Sequence, residues 1–202
     1  MFCSFQLFGI RRMTSMANRH NMSDQNREQL NTLNIAPYIQ LVYPLIDKQR
    51  RMGGNAFRHC LETFSILLDY GIVDHILLKA SVIHDLIEDE DGFDQNRILQ
   101  LEDGKAVLEL VLEVSRKKDE SKPKFLARIN NQGSFNAKTL KLADRIANLI
   151  SMGQVIDLKF IERYLKETET HIMPWAGTIN KYMVLELNDL IISRKALLNK
   201  CP

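Results

Sequence analysis

The stretch that decides the fold is SVIHDLIED, residues 81–89. It places a His84-Asp85 pair at the end of an apolar helix, and an acidic pair, Glu88-Asp89, follows directly. Because residues four apart share a helix face, the spacing predicts that these polar groups gather at one helix end. Imidazole and carboxyl groups beside an apolar stripe are costly to desolvate alone, and a divalent cation is the simplest compensation. The stretch therefore indicates a metal site.

Two further ligands are available on other helices. His59 lies on the preceding helix, which has the cleanest apolar periodicity, and Asp144 lies on a later one. With His84 and Asp85 they form a site of nitrogen and oxygen donors without thiolate, which favours manganese, iron or another octahedral metal over zinc. Asn148, one turn after Asp144, is expected to hydrogen-bond a ligand or water at the same helix face.

Each of these residues also has a purely structural explanation. A lone His-Asp dipeptide occurs by chance in many soluble helices, so it is weak support for a metal. His59 is explained equally well as a boundary histidine, and Asp144 as the ion-pair partner of Lys141 or Arg145. The acidic pair is explained as a solvated helix end. Their joint occurrence in this order is what favours the metal site.

The rest of the chain predicts an all-α bundle with the metal site between helices. Apolar residues recur at three- and four-residue steps from Pro37 onward, and no convincing alternation indicates a strand. The first helix is expected to carry Ile39, Val42, Tyr43 and Ile46 on one stripe and to end near Gly53-Gly54. The other expected helices cover about 57–71, 74–88, 104–116, 120–131, 135–152, 157–172 and 174–198.

Composition is that of one ordinary globular domain. The 202 residues are 45% hydrophobic and 26% charged, and 27 basic against 25 acidic residues give a net charge of +2. This charge is too small to indicate a nucleic-acid or membrane partner. We expect a single domain over 26–202, preceded by a disordered or loosely ordered extension over 1–25. The apolar run at its start, 1–10, is too short to span a bilayer.

The cysteines favour a reducing compartment. Cys3, Cys60 and Cys201 lie far apart and form no CxxC pair, so they predict neither a disulfide framework nor a thiolate zinc site. A cytoplasmic location fits this pattern best. The sequence leaves open whether the protein forms an oligomer.

Two motifs in the same order make a family resemblance specific. HDLIED, residues 84–89, is followed by KLADRIANL, residues 141–149, and RRMG, residues 50–53, precedes His59. From about Lys48 to Ala176 the chain resembles the hydrolase domain of the RelA/SpoT family, which includes small stand-alone alarmone hydrolases. The synthetase domain of long family members is not expected here.

This resemblance implies an HD-domain helical bundle, a bound manganese ion and a guanine nucleotide substrate. The implied reaction removes the 3′-pyrophosphate from guanosine tetra- or pentaphosphate (ppGpp or pppGpp). The implied metal ligands are His59, His84, Asp85 and Asp144. The implied acid–base pair is Glu88 and Asp89. The implied nucleotide contacts are Arg50, Arg51, Asn148 and Ser151, with the two arginines stacking on a base or holding phosphate.

Departures from the family pattern concern the substrate more than the chemistry. Cys60 follows the first ligand where many members have proline, and the stretch 53–56 also differs. One alternative is therefore an HD hydrolase acting on another nucleotide, such as the 2′-phosphate of NADPH. Another is a non-catalytic HD module that binds nucleotide, although such a module has no evident need for both Glu88 and Asp89.

Overall fold

The computed structural model describes residues 22–155 and 157–198. Within these ranges the secondary structure is helical. The described residues form no strand, and Gln49 and Asn55 form an isolated antiparallel bridge. The all-α prediction is confirmed. The helices are α1 (Asp24–Asn31), α2 (Ala36–Val42), α3 (Ala56–Asp69), α4 (His75–Ile83), α5 (Leu86–Asp89), α6 (Asn96–Leu99), α7 (Gly104–Val114), α8 (Lys122–Gln132), α9 (Phe135–Ser151), α10 (Leu158–His171), α11 (Met173–Ile179) and α12 (Lys181–Leu198).

Polar side chains fix where several of these helices begin. In each case the capping side chain accepts a hydrogen bond from the backbone N–H three residues further on, which satisfies a donor that the helix itself leaves free. The capping residues are Ser23, Asn55, Asp74, Ser134 and Asp157. The end of α3 is set by Gly71, whose φ of 69° is readily adopted only without a Cβ.

The helix α9 lies at the centre of the bundle. It packs against α3, α7 and α12, and also touches α4, α8 and α11. The helix α3 packs in turn against α4. The three segments that the sequence predicts to carry metal ligands are therefore mutual neighbours, and the apolar core that joins them also determines how their polar ends meet.

The helix predicted from Pro37 is shorter than expected. It ends at Val42 and continues as a 3₁₀ turn over Tyr43–Asp47, because Pro44 has no N–H to continue the α-helical hydrogen bonding. The predicted stripe is consequently wrong at Tyr43, which is 64% exposed, and at Ile46, which is also exposed. The buried residues of this segment are Tyr38, Leu41, Val42 and Leu45.

The helix predicted over 74–88 is interrupted at its most informative point. It divides into α4 and the short α5, with His84-Asp85 in the turn between them. The Ser81 carbonyl, to which an uninterrupted helix would bond the Asp85 amide, accepts a 2.7 Å hydrogen bond from Nδ1 of His84. The His84 side chain thus occupies the backbone acceptor at which the break occurs.

The C-terminal part of the described chain differs from expectation, and the predicted N-terminal extension lies mostly outside the described residues. The helix predicted over 174–198 is two helices, because extended Asn180 separates them and its side chain caps α12 at Tyr182 and Met183. The polar helix α1 and the short α6 have no apolar periodicity that predicts them. Of the predicted extension over 1–25, residues 1–21 lie outside the described residues and Asp24 begins α1.

No helix in the described part of the chain is both long and apolar enough to cross a bilayer.

Backbone packing is tightest where α7 begins. A Cβ added at Gly104 would lie 2.0 Å from the carbonyl oxygen of Ile98, far inside van der Waals contact. The preceding residue, Asp103, adopts a left-handed conformation with φ 60°, and its carboxylate accepts a 2.7 Å hydrogen bond from the buried Lys79 ammonium. The ion pair and the absent side chain together hold the loop before α7 against α4.

We expect Gly104→Ala to lower the free energy of unfolding by about 1–3 kcal/mol, because the new methyl group forces the backbone at Ile98 to move. Thermal unfolding measures this directly. The matched control is Gly177→Ala within α11, where the added Cβ meets nothing within 4 Å. In that control the free energy of unfolding should rise by about 0.5–1 kcal/mol, because alanine has a higher helix propensity than glycine. Equal effects of the two substitutions would contradict the packing described here.

Candidate active site

Two histidine rings, His59 of α3 and His84 at the end of α4, meet edge to face beside Asp144 of α9, with 62° between their planes. Nε2 of His59 lies 3.2 Å from Nε2 of His84 and 3.1 Å from Oδ1 of Asp144. The same carboxylate oxygen lies 3.8 Å from Nε2 of His84. All three side chains are buried, so their polar atoms compensate one another in the absence of bulk water.

Asp85 completes this cluster from the turn between α4 and α5. Its Oδ2 lies 3.4 Å from Nε2 of His59, and its Oδ1 lies 3.2 Å from Nε2 of His84. Adjacent ligands of one octahedral ion with bonds of about 2.1 Å lie about 3 Å apart. Three of the predicted ligands, His59, His84 and Asp144, each offer a ligand atom within 4.8 Å of the other two, close enough for one metal ion. Asp85 lies beside both imidazoles but outside this group of three.

The hydrogen bonds behind the rings differ between the two histidines. Nδ1 of His84 donates to the Ser81 carbonyl, which fixes the ring and directs Nε2 at the cluster. Nδ1 of His59 is buried and has no hydrogen-bond partner among the described residues. His84 is thus oriented for a metal by its own helix, whereas the position of His59 depends on packing within α3.

Charge interactions within the cluster shift the pKa values of His84, Asp85 and Asp144. Burial opposes a charge on His84, yet the carboxylates of Asp85 and Asp144 outweigh it and hold the pKa of His84 well above its usual value. Burial likewise opposes ionisation of the two carboxyls. The charge of His84 nevertheless holds the pKa of Asp85 well below its usual range, and Lys141 does the same for the pKa of Asp144.

The acidic pair lies on α5 beside the cluster. Oε1 of Glu88 accepts a 2.8 Å hydrogen bond from the backbone N–H of Arg116, and Oδ1 of Asp89 lies 3.5 Å from Nζ of Lys48. Burial raises the pKa of both carboxyl groups, and the neighbouring charge of Asp85 raises it further. The pair therefore holds a proton at higher pH than an ordinary carboxylate would.

The cavity above the cluster has a volume of about 430 Å³ and is strongly cationic. Seven basic side chains line it, against four acidic ones that are all predicted ligands or members of the acidic pair. The basic residues are Lys48, Arg50, Arg51, Arg116, Lys122, Lys141 and Arg145. A cavity with this surplus of positive charge suits a small polyanion. Phe125, Phe160 and Tyr164 add aromatic surface.

The predicted nucleotide contacts divide into two groups. Arg50, Arg51 and Asn148 line the cavity, and Nη2 of Arg50 donates a 2.9 Å hydrogen bond to Oδ1 of Asn148. Asn148 in turn donates to Oδ1 of Asp144 at 2.6 Å. The structure does not bring Ser151 to this surface, because its hydroxyl faces α3 and donates to Glu62 at 3.3 Å.

Sequence reasoning missed several of the residues that line the cavity. Lys48, Lys122 and the α10 pair Phe160 and Tyr164 come from three segments, and no spacing rule links them to the HD stretch. Lys141 was noted as a structural partner of Asp144, and it does bond to Oδ2 of that carboxylate at 2.7 Å. The same lysine lines the cavity, so the ion pair and the site share one residue.

No family model matches the chain. Curated relatives do. A "Probable guanosine-3′,5′-bis(diphosphate) 3′-pyrophosphohydrolase" of Mycoplasma genitalium is 30% identical over 161 residues, which cover 71% of this chain and 22% of the relative. A protein of the same name from Mycoplasma pneumoniae is 31% identical over 160 residues, covering 71% and 21%. The chain thus spans about a fifth of the length of these relatives.

A solved structure supplies the decisive fold comparison. It belongs to a metazoan orthologue of SpoT described as hydrolysing ppGpp, and it is 23% identical to this chain with a TM-score of 0.62. The match covers 85% of this chain and 96% of the other. This chain has the all-α HD-domain fold of that SpoT orthologue. The resemblance predicted from residues 84–89 and 141–149 is confirmed, and the His–Asp cluster lies where the HD helices meet.

Metal binding at the HD cluster should release a proton, because His84 holds one in the metal-free protein and must lose it to offer Nε2. Since the pKa of His84 is raised, the affinity for a divalent cation should increase with pH up to that pKa, by about tenfold per pH unit for each proton released. Calorimetry in buffers of different ionisation enthalpy measures the proton count. An affinity that does not rise with pH through the usual pKa of histidine, about 6.5, would contradict the raised pKa.

Proposed function

We propose that the chain is a metal-dependent hydrolase that removes the 3′-pyrophosphate from guanosine tetra- or pentaphosphate. The observation that carries the proposal is the combination of two imidazoles and two carboxylates with a cavity lined by seven basic side chains. The names of the Mycoplasma relatives and the activity of the metazoan protein support this choice of substrate.

Manganese is the proposed metal, held by His59, His84, Asp85 and Asp144. The mixture of nitrogen and oxygen donors without thiolate supports this assignment. When bound, a divalent ion of this kind lowers the pKa of a water molecule and polarises a phosphoryl oxygen. The hydrogen bond from Nδ1 of His84 to the Ser81 carbonyl orients Nε2 of the same ring toward the position proposed for the ion.

Glu88 and Asp89 are proposed to move the protons of the reaction. Release of pyrophosphate forms a bond from a water oxygen to phosphorus and breaks the bond from that phosphorus to the ribose 3′-oxygen. One proton must leave the water and one must reach the 3′-oxygen. A carboxyl group with a raised pKa serves both needs, because it holds a proton at higher pH than an ordinary carboxyl group and can both accept and return one.

The basic side chains are proposed to hold and orient the nucleotide. Several phosphate groups on one small substrate need several cations, and guanidinium groups bind phosphate with two parallel hydrogen bonds. Arg50 is linked through Asn148 to the ligand Asp144, so binding of the nucleotide and geometry of the metal site belong to one hydrogen-bond network.

We also propose a reducing cytoplasm as the location, supported by the scattered cysteines.

The purified chain should release pyrophosphate from guanosine tetraphosphate in the presence of Mn²⁺ and lose this activity with EDTA. The measurement is product analysis over a nucleotide panel that includes NADPH. Release of bare phosphate from NADPH alone would replace the proposed substrate with the nearest alternative. Binding of guanosine tetraphosphate without any release would instead indicate a non-catalytic module.

Two variants should separate metal binding from proton transfer. Asp85→Ala removes oxygen donors next to both imidazoles, so we expect loss of Mn²⁺ binding and of turnover. Glu88→Gln keeps the shape of the side chain and lies outside the donor set, so Mn²⁺ should still bind while kcat falls by about 10²–10⁴-fold. Calorimetry and pyrophosphate release measure the two properties. A fully active Asp85→Ala protein would disprove the metal assignment.

A further inference from the structure

Arg51 lies in a tight turn that lines the cavity. The turn is closed by backbone hydrogen bonds from Arg50 to Gly54 and from Gly53 to Arg50, both 3.0 Å long. Gly53 and Gly54 have φ values of 91° and 69°, which residues with a Cβ rarely adopt. The backbone therefore presents the Arg51 side chain in a fixed direction, toward the start of α10.

Two residues at the start of α10 contact the Arg51 side chain. The Arg51 guanidinium pairs with Oδ2 of Asp157, and its Cζ lies 4.2 Å from the centre of the Phe160 ring. The other oxygen of Asp157, Oδ1, accepts the N–H of Phe160 at 3.0 Å and caps the helix. One carboxylate thus fixes both the aromatic ring and the cation that lies over it.

The exposure of Arg51 distinguishes it from the other stacked arginine of the cavity. Arg145 lies equally close to an aromatic ring, with Cζ 4.2 Å from the centre of Tyr164, but it is 1% exposed. The Arg51 side chain is 58% exposed and lines the cavity. It therefore offers a flat surface to a ligand, whereas the edge of its guanidinium is engaged by Asp157.

We infer that Asp157 and Phe160 are positioning residues that turn the Arg51 guanidinium into a flat shelf for a nucleobase. Because Asp157 already matches its charge and engages its edge, the group is poorly suited to clamp a phosphate. The planar face remains, and guanidinium planes stack well on aromatic bases. This inference rests on the proposed function, to which it adds the two residues that position Arg51 for a base.

The test uses Asp157→Asn, which separates the two roles of the carboxylate. Asparagine caps a helix as well as aspartate does, so α10 should begin as before and thermal stability should be unchanged. Its amide places an N–H₂ group or an uncharged oxygen against Arg51, which removes the ion pair. The matched control is Asp74→Asn, the same change at the cap of α4, away from the cavity.

Guanosine 5′-diphosphate, the nucleotide left after removal of the 3′-pyrophosphate, is the binding probe. Asp157→Asn should raise its Kd and the KM for guanosine tetraphosphate by about five- to tenfold, with kcat changed less than about twofold. Asp74→Asn should change none of these. Phe160→Leu should weaken binding similarly and Phe160→Tyr should restore it, because only the aromatic ring supports the guanidinium plane.

The decisive comparison repeats Asp157→Asn in an Arg51→Ala background, where it should have no further effect on Kd if Asp157 acts through Arg51. Unchanged or tighter nucleotide binding in Asp157→Asn would overturn the inference, as would an equal loss in the Arg51→Ala background. The diphosphate titration does not depend on turnover. A wild-type chain that binds the probe but hydrolyses nothing would therefore refute the proposed function and leave the shelf intact.

Discussion

The attraction between two buried imidazoles and two carboxylates is the interaction on which the rest of this structure depends. His59, His84, Asp85 and Asp144 come from three helices, and none of these polar groups would be stable at the bottom of an apolar bundle alone. Each acid lowers the cost of burying a histidine, and each histidine that carries a proton lowers the cost of burying an acid. The packing of α9 against α3 therefore needs this charge balance as much as it needs apolar contact.

The positive charge of the cavity also balances buried acidic groups. The four acids at the floor and on α5 attract the basic side chains around them, as Lys141 does at Asp144 and Lys48 does at Asp89. In the metal-free protein these cations help to stabilise the acids. A divalent ion would take over part of that task, and the basic groups would then be available to a polyanionic ligand. The ion and the ligand would in this way depend on each other.

The sequence predicts the class of fold and the four candidate metal-site residues because each depends on local spacing. A His-Asp pair, a second histidine on a periodic helix and an aspartate in KLADR are visible without knowledge of tertiary structure. The helix break at His84 was missed because it results from a side-chain hydrogen bond to Ser81 and not from glycine or proline. The stack of Arg51 on Phe160 joins residues from separate segments, so only the fold brings them together.

The break between α4 and α5 has a consequence for how such proteins diverge. His84 ends the buried α4 and Asp85 directly precedes the four-residue α5, whose residues Glu88 and Asp89 lead into an exposed acidic loop. The backbone carbonyl of Asp85 accepts hydrogen bonds from the amides of Glu88 and Asp89, so the two pairs share one turn. In the proposed enzyme, substitution of either acidic side chain would remove a proton-transfer group and leave the proposed metal donors and the basic cavity in place, which is a route from enzyme to sensor.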